Sequence, residues 1–174
     1  MIRILTCFAN KSLFPKYSYI LNDIEKHENM RVLLLFNFFN YYEKVDEHDD
    51  DENIPKNIFL PIPINVDFAK NLQDCLINSK LKVVVFIGFH FENEPEKIFC
   101  EALPKSNNLK ILILRQCIFS NSVFEAVANM PNLDLFGTSC KQNKSETIMP
   151  LLELKSKRPD LIINLEDHYL KKFG

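Results

Sequence analysis

Glycine is scarce in this chain. The 174 residues include three, Gly88, Gly137 and Gly174, where average usage of about 7% would supply roughly a dozen. Loops that cradle phosphate need glycine so that the backbone can approach the anion. The patterns GxGxxG, GxxxxGKS/T and GxSxG are all missing. An excess of charge of one sign is missing too: 21 Lys and Arg stand against 23 Asp and Glu, a net charge of -2. A general nucleic-acid binder would show a basic surplus. No run approaches the ~18 consecutive apolar residues that a membrane-spanning helix needs, so no membrane association is expected. Metal-ligand spacing is absent as well. Cys7, Cys75, Cys100, Cys117 and Cys140 are odd in number, scattered among apolar neighbours and never form CxxC. They read as buried reduced thiols rather than ligands or disulfides.

What is present is apolar content, 47% of the residues. That is too much for a disordered chain and enough for one domain with a core. The N-terminal run Ile2–Leu5 is too short for a secretory h-region, so the expected compartment is the cytoplasm or, by diffusion, the nucleus. The acidic run Glu43–Glu52, with His48 inside it, reads as an exposed loop because clustered like charges resist packing. It lacks the spacing and turn glycine of a calcium loop. His27, His48, His90 and His168 fall in no HxxxH or HExxH pattern. No nucleophile sits in an activating motif. Catalytic residues, metals and cofactors are therefore not expected.

The apolar residues repeat. β-rich runs begin near Ile2, Arg31, Asn57, Leu81, Leu109, Leu133 and Leu161, every 24 to 29 residues. Each is followed by a polar break and a stretch with helical periodicity. Tyr17, Ile20, Leu21 and Ile24 share one helical face. So do Phe68, Leu72, Cys75 and Leu76, then Ile98, Phe99, Ala102 and Leu103, then Val123, Ala126, Val127 and Met130. Ile148, Leu151, Leu152 and Leu154 form a looser version. Within units the spacing is LxxLxLxxN/C. Ile2, Leu5, Cys7 and Asn10 fill it, and so do Leu109, Leu112, Leu114 and Cys117. Leu81, Val84, Phe86 and Phe89 fit with an aromatic last. Asn57, Leu60, Ile62 and Asn65 fill three positions, and Arg31, Leu34, Phe36 and Phe39 fit less well. Near Leu133 the register is ambiguous by one residue, with Asn132, Leu135, Gly137 and Cys140 as one choice.

On these residues the chain resembles the leucine-rich repeat family, in its cysteine-containing or ribonuclease-inhibitor-like form. The resemblance implies a single α/β domain over 1–174, a solenoid of about six repeats with parallel strands on the concave side and helices on the convex side. An acidic loop insertion would lie near 43–55 and a C-terminal capping segment near 155–174. A doubly wound parallel α/β sheet is the alternative fold.

In such a solenoid the residues between the inward leucines face the concave surface. Here they are Ile4, Thr6 and Phe8, then Leu33, Leu35 and Asn37, then Phe59, Pro61 and Pro63. Val83, Val85 and Ile87 follow, and last come Ile111, Ile113 and Arg115. A solvated sheet face should be polar at these positions. Three explanations compete: the face binds a partner, the chain itself covers it, or both faces are core. The first makes the protein a non-enzymatic binding scaffold in a stable complex. Its contact residues would be Phe8, Leu33, Leu35, Phe59, Val83, Val85, Ile113 and Arg115. Alternatives are an accessory subunit of a large assembly such as a ribosome or proteasome, or an adaptor like the F-box receptors without the box. Direct nucleic-acid binding is not expected outside contact within a ribonucleoprotein.

Overall fold

Runs such as Val83–Ile87 and Ile111–Arg115 are rich in β-branched residues that extend readily and pack on a pleated surface. In a computed structural model they are central strands. The structure describes residues 3–9, 21, 29–37, 40–42, 57–59, 61–139 and 144–165, with side chains for residues 21, 29–37, 61–139 and 148–165. Six strands form one sheet: β1 (Arg3–Ala9), β2 (Met30–Asn37), β6 (Val83–Ile87), β8 (Ile111–Arg115), β9 (Leu135–Thr138) and β10 (Ile162–Leu165). Every pairing in it is parallel. Two small ladders stand beside it. β3 (Asn40–Tyr42) pairs antiparallel with β4 (Asn57–Phe59), and β5 (Ile62–Pro63) pairs parallel with β7 (Phe89–His90).

Parallel neighbours need crossovers, and among the described residues four helices lie between main-sheet strands. These are α1 (Val66–Asn78), α2 (Asn93–Ala102), α3 (Ser122–Ala128) and α4 (Lys144–Lys157). A short 3-10 turn at Leu103–Lys105 extends α2. Consecutive helices pack side by side. Their buried faces (Phe68, Leu72 and Cys75; Phe99 and Ala102; Val123 and Val127; Leu151 and Leu154) share one core with alternate strand residues. Those are Leu33, Leu35, Val84, Phe86, Leu112, Leu114 and Phe136. The Phe86 ring meets Phe89, Phe91 and Phe99 edge-on, with centroids 5.4–6.0 Å apart.

The strand order β1-β2-β6-β8-β9-β10 follows the chain without reversal. A doubly wound sheet reverses its order and carries helices on both faces, so that alternative does not describe this sheet.

The expected strand at Asn57 takes no place in the main sheet, because β2 pairs directly with β6. Proline accounts for this. A central strand needs N–H donors along both edges, and Pro61 and Pro63 supply none. The segment instead makes the small β5–β7 ladder, with Ile62 N donating to Gly88 O and Ile64 N to His90 O, both at 2.9 Å. Asn65, expected as a turn asparagine, caps α1: its side chain accepts from Phe68 N at 2.8 Å. The acidic run Glu43–Glu52 lies outside the described residues, as do His27, His48, His168, Cys7 beyond its backbone, and Cys140.

Two polar groups tie the units together. Asn37 is fully buried at the end of β2, and its Nδ2 donates to Gly88 O at 2.9 Å. Gly88 itself has φ 81°, a conformation that glycine adopts without cost. At the other end the Arg158 guanidinium donates to Leu133 O at 2.9 Å, to Met130 O, and to Asp160 at 2.7 Å. The last unit is thereby latched to the one before it.

Candidate functional site

Side chains alternate across a strand, so the residues between the buried ones point away from the helices. The ladder register aligns them in rows across the sheet. Val32, Val83, Ile111 and Leu135 make the first row, and Leu34, Val85, Ile113 and Gly137 the second. Phe36, Ile87 and Arg115 make the third. All but Gly137 are partly exposed. Gly137 lies beneath its neighbour: a Cβ there would meet Ile113 Cγ1 at 3.2 Å. Opposite Leu135, Ile162 of β10 extends the first row and is 60% exposed.

Of the residues expected on the open face, Val83, Val85, Ile113 and Arg115 are there. Leu33 and Leu35 are not, being 0% and 2% exposed in the core. The strand register in this unit is one residue off the expectation. Met30, Leu33 and Leu35 fill the inward positions that the spacing led by Arg31 assigns to Arg31, Leu34 and Phe36. A one-residue slip exchanges the two faces of a strand. Val32, Leu34 and Phe36 were therefore missed, although Met30-x-x-Leu33-x-Leu35 was a better match to LxxLxL than a unit led by arginine. The ambiguity at Leu133 is settled by the ladder, which pairs Leu112 with Phe136 and Leu114 with Thr138. Leu135 is consequently outward.

Phe59 belongs to the β3–β4 ladder, opposite Asn40, and is not on the main sheet. Phe8 stands opposite Phe36 in the β1–β2 ladder, and its side chain lies outside the described ones.

A second concavity lies between α2, α3 and the loops that follow β7 and β8. It is a groove of about 800 Å³ lined by His90, Glu92, Glu96, Cys100, Phe119 and Glu125, among others. Glu96 is buried and accepts from Ser120 N at 2.9 Å and from Ser120 Oγ. It clamps the loop after β8 onto α2. The His90 Nε2 lies 3.7 Å from a Glu92 oxygen. Burial pushes the Cys100 thiol up to about 12, and the carboxylates of Glu96, Glu125 and Glu101 push in the same direction. At neutral pH this sulfur is a protonated thiol, not an activated nucleophile. Burial likewise raises the Cys117 thiol to about 12.

Cys75, Cys100 and Cys117 carry free thiols. Among the described residues no helix is long and apolar enough to cross a membrane. No protein-family model and no curated protein matches the chain.

Proposed function

We propose that the chain is a leucine-rich-repeat-like solenoid that holds a protein partner on the open face of its sheet, in a long-lived complex and without catalysis. One observation carries this reading: four adjacent parallel strands present continuous apolar rows on the side away from the helices. Soluble monomers rarely leave a broad apolar patch in water, and permanent interfaces are the more hydrophobic ones. The unreversed strand order and the repeat spacing at Leu81 and Leu109 support the solenoid. The contact residues on this reading are Leu34, Val83, Val85, Ile113 and Arg115.

A second reading, an accessory subunit built into a large assembly, is favoured by the far edge of the array. There Ile148, Met149 and Leu152 on α4 and Ile162 and Leu165 on β10 are 49–60% exposed. The two readings differ in how many surfaces are in contact. Affinity purification with Val85→Glu and Ile113→Glu, each checked for folding by circular dichroism, tests the first. Loss of the co-purifying partner with folding intact supports it; retention of the partner refutes it. Leu152→Glu should leave the partner bound on the first reading and release the chain from its assembly on the second.

A further inference from the structure

The groove between α2 and α3 carries charge that the fold leaves uncompensated. Of the residues that line it, Glu96 and Glu101 stand on α2, Glu125 on α3, and Glu92 just ahead of α2. Against these four carboxylates the lining holds one lysine, Lys97. Glu96 is 8% exposed, yet both of its hydrogen bonds come from the neutral Ser120. A buried charge is normally paired with an opposite one, and a carboxylate has about four lone-pair sites to offer. Among the described residues no lysine or arginine pairs with Glu96, Glu101 or Glu125. Helix electrostatics explain part of this. Glu96 and Glu125 lie in the first turns of their helices, where the dipole favours acid. Glu101 is next to last in α2, where the dipole disfavours it. After burial, the carboxylates of Glu96, Glu125 and Glu101 are what raise the Cys100 thiol. Acid from both walls therefore converges on one point of the lining. Apolar side chains, Phe91, Pro104, Ile118, Phe119 and Ala126, make up much of the rest. The volume of about 800 Å³ lies within the range of about 300–1,000 Å³ usual for ligand sites.

We propose that this groove takes an arginine side chain from a protein partner, its guanidinium among the Glu96, Glu101 and Glu125 carboxylates and its apolar neighbours on the rest of the lining. The groove shares no residue with the rows of the open sheet face, so this second contact surface is independent of the open-face reading. Three properties favour arginine over lysine. Its weaker hydration lowers the cost of approaching a buried carboxylate. Its planar fork of donors can serve carboxylates on two walls at once. It also stacks on aromatic rings, and Phe119 is a partly exposed ring in the same lining. A metal ion fits less well. Among the described residues no three His, Cys, Asp or Glu side chains come together closely enough to hold one. The acidic lining would repel a phosphate-bearing partner.

The test is fluorescence anisotropy with the full chain and three labelled peptides at low and high salt. The peptides share apolar flanks and differ only at the central residue, which is arginine, lysine or the neutral isostere citrulline. The expected result is that the arginine peptide binds and weakens as salt rises. The lysine peptide should bind less tightly and the citrulline peptide least. Glu101 and Glu125 are both exposed, so Glu101→Gln with Glu125→Gln should fold. That variant should lose about tenfold in affinity for the arginine peptide. If circular dichroism shows that the pair disturbs folding, Glu125→Gln alone takes its place. Bound arginine peptide should also slow the alkylation of Cys100, read at that residue by mass spectrometry, because Cys100 lines the groove. Equal binding of the lysine or citrulline peptide, unchanged affinity in the glutamine variant, or unprotected Cys100 overturns the proposal. Ile113→Glu checks the rival location. Loss of the peptide there, with binding kept in the glutamine variant, would put it on the open face and overturn the groove assignment.

Discussion

The face assignment in β2 can be tested by two neighbouring leucines. Leu33 is fully buried among the helices, and Leu34 is partly exposed on the other side of the same strand. Leu33→Ala removes buried methyl groups and leaves a cavity that β6 and α1 fill only in part, so it should cost about 3 kcal/mol. Leu34→Ala removes less buried area and opens no enclosed space, so it should cost about 1 kcal/mol. In a domain of this size each kcal/mol moves the melting temperature by about 2–4 °C, which separates the variants clearly. Glutamate sharpens the contrast. At position 33 a carboxylate would enter the core without a partner, a cost of several kcal/mol against a total stability of about 5–15 kcal/mol. At position 34 it would reach water. Urea and thermal melts should be followed by far-UV circular dichroism, because the chain has no tryptophan to report by fluorescence. A Leu34→Ala variant as destabilised as Leu33→Ala, or a folded Leu33→Glu, would show that the register described for β2 is wrong.

Two further outcomes follow from side chains with shifted titration. Arg158→Ala strips donors from the Met130 and Leu133 carbonyls and should cost about 1–3 kcal/mol in urea melts. The Arg158 guanidinium also holds the Asp160 carboxyl down to about 2, below its ordinary value near 3.9. A carboxyl depressed on folding contributes stability above its unfolded value, and that contribution is lost as pH falls through the folded one. NMR titration should therefore place Asp160 near 2 in the native chain and near its ordinary value in Arg158→Ala. Cys100, raised to about 12, should react with iodoacetamide at pH 8 about fiftyfold more slowly than a free cysteine. Glu101→Gln with Glu125→Gln should speed the reaction by removing two of the charges that raise the thiol. Reaction at the free-cysteine rate would refute the burial argument.

Much of the sheet could be read from the sequence because β-rich runs and helical faces alternate with little interruption. Leu81, Val84 and Phe86, and Leu109, Leu112 and Leu114, are inward as their spacing implies. Phe68, Leu72, Cys75 and Leu76 form the buried face of α1. Three expectations differ from the structure for physical reasons. A short apolar run such as Arg31–Phe36 satisfies the same spacing in two registers, and only pairing with a neighbour decides between them. The run at Asn57 has strand composition, but Pro61 and Pro63 bar it from a sheet interior. In α4, Ile148 and Leu152 match a helical face yet are 49% and 59% exposed, because Leu151 and Leu154 take the core positions.

The architecture itself explains how a nearly neutral chain comes to segregate its charge. With the main-sheet strands parallel and the described crossover helices packed side by side, α1 to α4 point the same way. Their C-terminal ends, which carry partial negative charge, therefore gather at the ends where the strands begin. α1 and α3 have no basic residue in their last turns, whereas the 3-10 turn that extends α2 ends on Lys105 and the last turn of α4 carries Lys155 and Lys157. At the opposite end Glu94 and Glu96 occupy the first turn of α2, where the dipole favours acid. Each such placement is worth about 0.3–1 kcal/mol. On the proposed reading, the apolar rows of the sheet would set how slowly a partner leaves, and salt would act mainly on the association rate.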